Sequence, residues 1–204
     1  MKTFVIALRA TLVTLVLTGI LYPLGMTVLA QVLFPTAANG SLAKDESGKV
    51  VGSRLLGQTF ANPAYFQPRP SAAGNGYDPL ASGGSNFGPT SAKLKDRVAA
   101  DIVRLRKDNP EAVGEIPAEL VTTSGSGLDP HISPAAAMWQ VPRVAHARGV
   151  SAARITASLE EAVSGRDLGF LGEPTVNVLE LNLALDRQFG QAVAPPAGPT
   201  AAAP

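Results

Sequence analysis

One run of residues constrains this chain more than any other. From Ala10 to Phe34 it reads ATLVTLVLTGILYPLGMTVLAQVLF, with charge before it only at Lys2 and Arg9. Its 25 residues would make about 37 Å of α-helix at ~1.5 Å per residue. The hydrocarbon core of a bilayer is about 30 Å thick, so the run can span it once with some tilt. No later segment is both as long and as free of charge. The expected organisation is a short N-terminal tail (1–9), a transmembrane helix (10–34), one soluble domain (35–190) and a C-terminal tail (191–204).

A cleaved export signal is the rival reading, with Val28-Leu29-Ala30 as a loose cleavage site. The run is longer than the ~7–15 residues of a signal core, which favours a retained anchor. On a helical wheel, Thr11, Thr14, Thr18, Tyr22 and Gly25 fall in one arc, at the three- and four-residue spacings of a helix face. Small and hydroxyl residues on a membrane helix allow close approach and hydrogen bonding between helices. The other face is Leu, Val and Ile, suited to lipid. Lys2 and Arg9 favour a cytoplasmic N-terminus, although Lys44 and Lys49 follow the span closely. The short tail resembles an export n-region, so the soluble domain is expected on the outer, periplasmic face.

The formal net charge of +1 and the lack of any basic cluster exclude nucleic acid as an expected partner. Aromatic residues make up 5% of the chain, so the core must be aliphatic. The tail QAVAPPAGPTAAAP carries no charge and too little apolar surface to offset its ordering entropy.

Between the anchor and the tail, Ser41 to Ser53 reads as a hairpin turning at Glu46-Ser47-Gly48 and returning through Val50-Val51. Residues 63–89 are too rich in Pro, Gly, Ser and Asn for either helix or strand. Within them Tyr65, Phe66, Tyr77 and Phe87 need surfaces to pack on. A helix is predicted from Ser91 to Lys107, with Leu94, Val98, Ile102 and Leu105 on one face and Asn109-Pro110 ending it. Ser133-Pro134 starts another that runs to Gly149, with Pro142 expected to kink or divide it. Ser151 is read as the cap of a third helix, carrying Ile155, Leu159 and Val163 and ending near Gly165. Val176 to Leu185 reads as a short strand passing into a helix. The fold class is therefore α+β, with one N-terminal transmembrane helix and a single soluble domain of small sheet and several helices.

The chemical candidates are sparse. Ser126, Asp129 and His131 hold the residue types of a hydrolase triad within six positions. Triad members normally come from distant positions, and no Gly-x-Ser-x-Gly elbow occurs. A turn in which Asp129 and His131 bond backbone ahead of the Ser133 cap is the competing reading. His131 and His146 are the only histidines and cysteine is absent, so a tight zinc site would need carboxylates as well, and no His-Glu-x-x-His pattern appears. His146, beside Arg143 and Arg148, reads as part of a solvated face. Ser82-Gly83-Gly84-Ser85-Asn86 could cradle phosphate but lacks the Lys and Ser/Thr of a P-loop. Arg69, set between Pro68 and Pro70, reads as an interface or ion-pair residue.

Several motifs occur in a specific order. Leu56-Gly57-Gln58 with Phe60 comes first, then Tyr65-Phe66 with Arg69-Pro70-Ser71-Ala72, and Ala81 to Asn86. Ser124 to Asp129, Trp139-Gln140-Val141-Pro142-Arg143-Val144-Ala145, Val176-Asn177-Val178 and Leu181-Asn182-Leu183-Ala184-Leu185-Asp186 follow. Together they resemble the C subunit of the bacterial Kdp potassium-transporting ATPase, from the anchor to about Asp186.

That resemblance implies a single-pass inner-membrane accessory subunit with no catalytic residues or bound metal of its own. Its implied partners are a channel-like potassium-binding subunit, a P-type ATPase subunit and a small single-span subunit. Potassium is the transported ion. The family is described as a catalytic chaperone that raises ATP affinity in the ATPase subunit, which makes ATP the implied cofactor. A domain outside the membrane does not meet cytosolic ATP. Its physical reading is instead a cap that stabilises the channel-like subunit or shapes its ion entrance, with Asp78, Asp129 and Asp186 as candidates to attract potassium. The matching motif residues, read as interface or family positions, are Gln58, Tyr65, Phe66, Arg69, Ser82, Gly83, Gly84, Ser85, Asn86, Asp129, Gln140, Arg143, Asn177 and Asn182. A nucleotide-binding regulatory subunit on the cytoplasmic side and an anchored or secreted hydrolase using Ser126, Asp129 and His131 remain the alternatives.

Overall fold

The computed structural model describes residues 1–45 and 47–192. Glu46 of the predicted turn, and the tail beyond residue 192, lie outside the described residues. The chain divides into two compact units, Met1–Leu42 and the remainder from Ala43.

The first unit is one helix, α1 (Lys2–Leu33), long and apolar enough to cross a membrane, and none of its apolar window is buried. A single helical turn, Pro35–Ala38, follows it. The hydrogen-bond ladder of α1 widens over Leu17–Leu21, where the Tyr22 N–H bonds the Leu17 carbonyl five residues back. Pro23 explains this. Proline has no N–H to donate, and its ring clashes with the carbonyl four residues earlier, so the preceding turn opens. The wheel that aligns Thr11, Thr14, Thr18, Tyr22 and Gly25 therefore holds on either side of that turn but not across it. The Thr18 hydroxyl donates to the Thr14 carbonyl at 2.8 Å, and Thr27 does the same to Pro23 at 2.8 Å.

The predicted hairpin is present as β1 (Leu42–Lys44) and β2 (Val50–Ser53). Asp45 organises its turn, accepting from the Ser47 and Lys49 N–H groups at 2.9 and 3.0 Å. A long irregular stretch leads to α2 (Ala92–Asp108), where the Ser91 hydroxyl caps Leu94 N–H at 3.4 Å. Only Leu105 of the predicted apolar face is buried; Leu94 and Val98 are half-buried, and Ile102 is exposed.

The core is built by β3 (His131–Ile132), α3 (Pro134–Arg148), α4 (Ala152–Glu161), β4 (Val163–Ser164), β5 (Thr175–Asn177) and α5 (Val178–Phe189). The three strands form one antiparallel sheet in the order β3-β5-β4, with Val176 facing both Ile132 and Val163. Val176, Val178, Leu181 and Leu185 close over Ile132, Val144, Ile155 and Leu159 in a largely aliphatic core that, against expectation, also takes in Phe66 and Trp139.

Three expectations change here. The third predicted helix ends at Glu161, and Val163 pairs in the sheet instead of extending it. Val163 is β-branched and finds a strand partner, which outweighs its helical spacing. Ser151 stands at the N-cap of α4, but its side chain makes no cap bond. Pro142 does not divide α3, which runs unbroken past it. The proline omits one bond to Met138 while its neighbours Val141, Arg143 and Val144 are buried, so packing holds the helix together.

The loops also interlock by close backbone approach. Gly127 has φ +68°, and a Cβ there would lie 2.7 Å from the Gly83 carbonyl and 2.8 Å from the Ala73 nitrogen. Gly127→Ala should therefore cost about 2 kcal/mol or more, combining left-handed strain with a backbone clash. Thermal unfolding of the purified chain checks this; an unchanged melting temperature would refute the close approach.

Candidate functional site

The motif residues converge on the irregular segment around Pro63–Gln67. Phe66 is fully buried and anchors it. Phe66 and Gln67 have no strand beside them, so their peptide groups need other partners. Two side-chain amides supply these. Asn182 of α5 accepts from Phe66 N–H at 2.8 Å and donates to Phe66 C=O at 2.9 Å. Gln140 of α3 accepts from Gln67 N–H at 2.9 Å and donates to Gln67 C=O at 3.0 Å. Each amide thus stands in for a β-strand neighbour.

Arg143 lies one helical turn beyond Gln140 and is buried. Its guanidinium donates to Asn109 Oδ1 at 2.8 Å, Gln140 Oε1 at 2.7 Å, the Tyr65 carbonyl at 3.0 Å and the Pro63 carbonyl. Burial pushes its pKa down to about 10, with Asp108 partly opposing, so it stays charged at neutral pH. Its hydrogen-bond acceptors are neutral carbonyls and amides rather than a carboxylate. Arg148 completes the frame from the same helix. It donates to the Ala64 carbonyl at 2.8 Å, pairs with Asp186 at 2.8 Å and lies 5.0 Å over the Tyr65 ring. The Tyr65 hydroxyl also donates to Asp186, at 2.9 Å. Burial, then that carboxylate, raises the Tyr65 pKa.

A second set of motif residues stitches loops 69–86 and 123–131 together. Arg69 faces Asp129 at 3.4 Å and donates to the Thr123 carbonyl at 3.2 Å. The Ser71 hydroxyl donates to the Gly127 carbonyl at 2.6 Å and accepts from Tyr77 N–H at 2.8 Å. Ser82 Oγ and Gly83 N–H both donate to the Ser126 carbonyl, at 2.9 and 2.8 Å. The Ser85 hydroxyl accepts from Thr123 Oγ1 at 3.2 Å. A Cβ on Gly84 would sit 3.1 Å from the Gly125 carbonyl, and Asn86 turns with φ 51°. The glycine-rich run is thus a fitted loop and presents no open cradle for phosphate.

Gln58 and Asn177 hold the edges. Gln58 donates to the Val51 carbonyl of β2 at 3.2 Å. Asn177 caps α5 through Glu180 N–H at 3.1 Å and donates to the Arg54 carbonyl at 2.8 Å.

The triad residues are engaged otherwise. Ser126 Oγ accepts from Leu128 N–H at 3.0 Å, and Asp129 Oδ1 accepts from His131 N–H at 3.0 Å. His131 Nδ1 lies 3.6 Å from Asp129, too far for a hydrogen bond. This is the capped-turn alternative, with Asp129 accepting from backbone ahead of Ser133. Two of the three aspartates considered for potassium are paired, Asp129 with Arg69 and Asp186 with Arg148, and Asp78 accepts from Leu80 N–H at 2.9 Å. Counter-charge therefore removes Asp129 and Asp186 as a cation lure. His146 is solvated as expected, but its neighbours Arg143 and Arg148 are buried. Of the four aromatics in residues 63–89, Phe87 alone is exposed.

No group of three His, Asp or Glu able to hold a metal ion occurs among the described residues. A cleft of about 610 Å³ is lined by Asn62, Pro63, Lys107, Asp108, Glu111, Arg143 and His146. Its residues do not fit a nucleotide triphosphate. Arg143 is already bonded to backbone and amides, and two carboxylates oppose Lys107. Sequence reading missed Arg148, Asn109 and Gln67 as members of the frame. Only the register of Arg148 with Gln140 and Arg143 on one helix hinted at the first.

Comparison with known proteins settles the family. Residues 4–187 match the family described as K+-transporting ATPase, c chain. The chain belongs to the KdpC family. A protein of Myxococcus xanthus named potassium-transporting ATPase KdpC subunit is 63% identical over 189 residues, covering 93% of this chain and 90% of the relative. Proteins of the same name from Rhodospirillum rubrum and Koribacter versatilis are 58% and 53% identical, over 85% and 91% of this chain and 89% and 94% of the relatives.

Two outcomes follow for this KdpC-family frame. Gln140→Leu strands the Gln67 peptide groups and one face of Arg143, and should cost about 3 kcal/mol. Asp186→Ala leaves the Arg148 guanidinium buried without its carboxylate, for a similar loss of about 3 kcal/mol. Exposed Asp167→Ala should cost under about 0.5 kcal/mol. Denaturant unfolding ranks the three.

The second outcome concerns pH. Burial raises Tyr77 to about 12, with Arg104 opposing, while its hydroxyl donates to the Arg69 carbonyl at 2.6 Å. The unfolded phenol ionises near 10, so the native state holds its proton longer. The stabilisation is complete below pH 10 and is lost as pH rises towards 12. A tyrosinate absorbance titration should show a late component that disappears in Tyr77→Phe.

Proposed function

We propose that this chain is a non-catalytic accessory subunit of a K+-transporting ATPase complex, required for its assembly and stability. One observation carries the reading. The side chains of the ordered motifs that chemistry could use are engaged in holding the protein's own backbone. Such residues build a rigid docking body rather than a reaction centre. The shared name of the relatives, potassium-transporting ATPase KdpC subunit, supports the choice of complex.

Residues 10–34 cross the inner membrane once, the N-terminus is cytoplasmic, and the domain of residues 35–190 stands on the outer face. An apolar helix with none of its window buried supports the anchor. Thr11 and Thr14 before the widened turn, Thr18 within it, and Tyr22 and Gly25 after it pack against partner membrane helices. Those partners are a channel-like potassium-binding subunit, a P-type ATPase subunit in which ATP is hydrolysed, and a small single-span subunit. Potassium is the cargo of the complex. The chaperone role, raising ATP affinity in the ATPase subunit, then acts across the membrane as a coupling free energy between subunits. No nucleotide contact by this domain is needed.

Protease added outside intact spheroplasts should digest the soluble domain. Protection until the membrane is opened would reverse the orientation and favour the cytoplasmic, nucleotide-side reading. Combining Thr14→Leu, Thr18→Leu and Gly25→Leu should strip the subunit from its complex in mild detergent. Unchanged co-purification would refute packing through this helix.

A further inference from the structure

The connection between β4 and β5 carries an apolar tip that the motif frame does not use. Leu168, Phe170 and Leu171 are 84%, 69% and 50% exposed. They are not on a loose loop. Asp167 and Leu171 exchange two backbone hydrogen bonds of 2.9 Å, and Arg166 pairs with Glu173 at 2.7 Å across the base. The tip is therefore a small preformed hairpin.

Its apex is also costly to build. Leu168 has φ 53°, a left-handed conformation that Gly, Asn or Asp adopts far more readily than a bulky side chain. Asparagine there would ease the backbone and place a polar group in water. The residue present is worse on both counts for an isolated chain, and burial against a partner reverses the solvation penalty.

We infer that this tip is a docking knob whose Leu168 and Phe170 insert into an apolar socket with a basic rim on another protein subunit. The proposal rests on the assembly reading above. Charge selects the occupant. Residues 165–173 contain one Arg against one Asp and one Glu, net −1, which suits a basic rim. An anionic lipid surface would repel that charge, and the segment has no Lys, Trp or Tyr to sit at a headgroup boundary. A second copy of the tip would oppose like charges. The rigid hairpin means little ordering entropy is lost on docking, which is what an anchor residue needs.

The test uses the full-length chain expressed with the other subunits of the complex and purified from membranes in mild detergent. Leu168→Asn should leave the subunit's melting temperature unchanged or higher, yet lower recovery of the other subunits by about tenfold, the effect of losing an interface anchor. Phe170→Ser, which leaves the left-handed position alone, should lower recovery similarly. A photoreactive phenylalanine analogue at position 168 should crosslink to a protein subunit of the complex. Wild-type recovery for both variants overturns the knob while leaving the assembly reading intact. Crosslinking to lipid alone, or to a second copy alone, also overturns it. If the unmodified chain recovers no subunit at all, the assembly reading falls and the knob with it.

Discussion

Peptide groups that are buried without a strand or helix to pair them are the most demanding feature of this domain. An unpaired buried donor or acceptor costs about 1–3 kcal/mol. The segment from Pro63 to Gln67 would accumulate several such costs. Gln140, Arg143 and Arg148 from α3 and Asn182 from α5 answer them one by one. The loop path, the burial of Phe66 and the placing of α3 and α5 are consequently one cooperative unit. Neither helix can shift without stranding polar groups on the loop, and the loop cannot leave without exposing Phe66 and unpairing a buried guanidinium.

The same logic extends to the second loop pair, where hydroxyls and carbonyls of residues 71–85 and 123–127 fit each other at near-contact distances. This rigidity is bought with residue types that usually signal chemistry: Ser, Asp, Arg, His and Gly. Their spacing invites readings as a triad or a phosphate loop. Geometry decides otherwise, because Ser71, Ser82, Ser126 and Asp129 already bond backbone groups and Asp129 also faces Arg69. A domain built this way offers a fixed outer surface to partners, which is the property an assembly subunit requires.

Much of the fold was legible from local rules. Ser133-Pro134 announces a helix start because a capping oxygen and a fixed φ act within one turn. The hairpin at β1 and β2 was readable for a similar reason. Val163 and Pro142 were not. Val163 sits at helical spacing from Leu159, but its strand partner Val176 is brought to it only by the fold. The exposure of Ile102 and Phe87 shows the converse, since an apolar face predicts burial only where another surface arrives. The ordered motifs marked Tyr65, Phe66, Gln140, Arg143 and Asn182, yet nothing local says that an amide on one helix serves a peptide group far away in the chain.

By itself the sequence determined the long apolar helix, the α+β class, the Ser133-Pro134 cap and the family, because each depends on neighbours in the chain or on ordered motifs. Tertiary structure alone decided that the buried arginines are structural, that Asp129 and Asp186 are neutralised, and that Leu168 is held out on a strained hairpin. Those outcomes depend on which groups meet after folding. In a low-dielectric interior the partner, not the residue type, decides whether a polar side chain is a reagent or a brace.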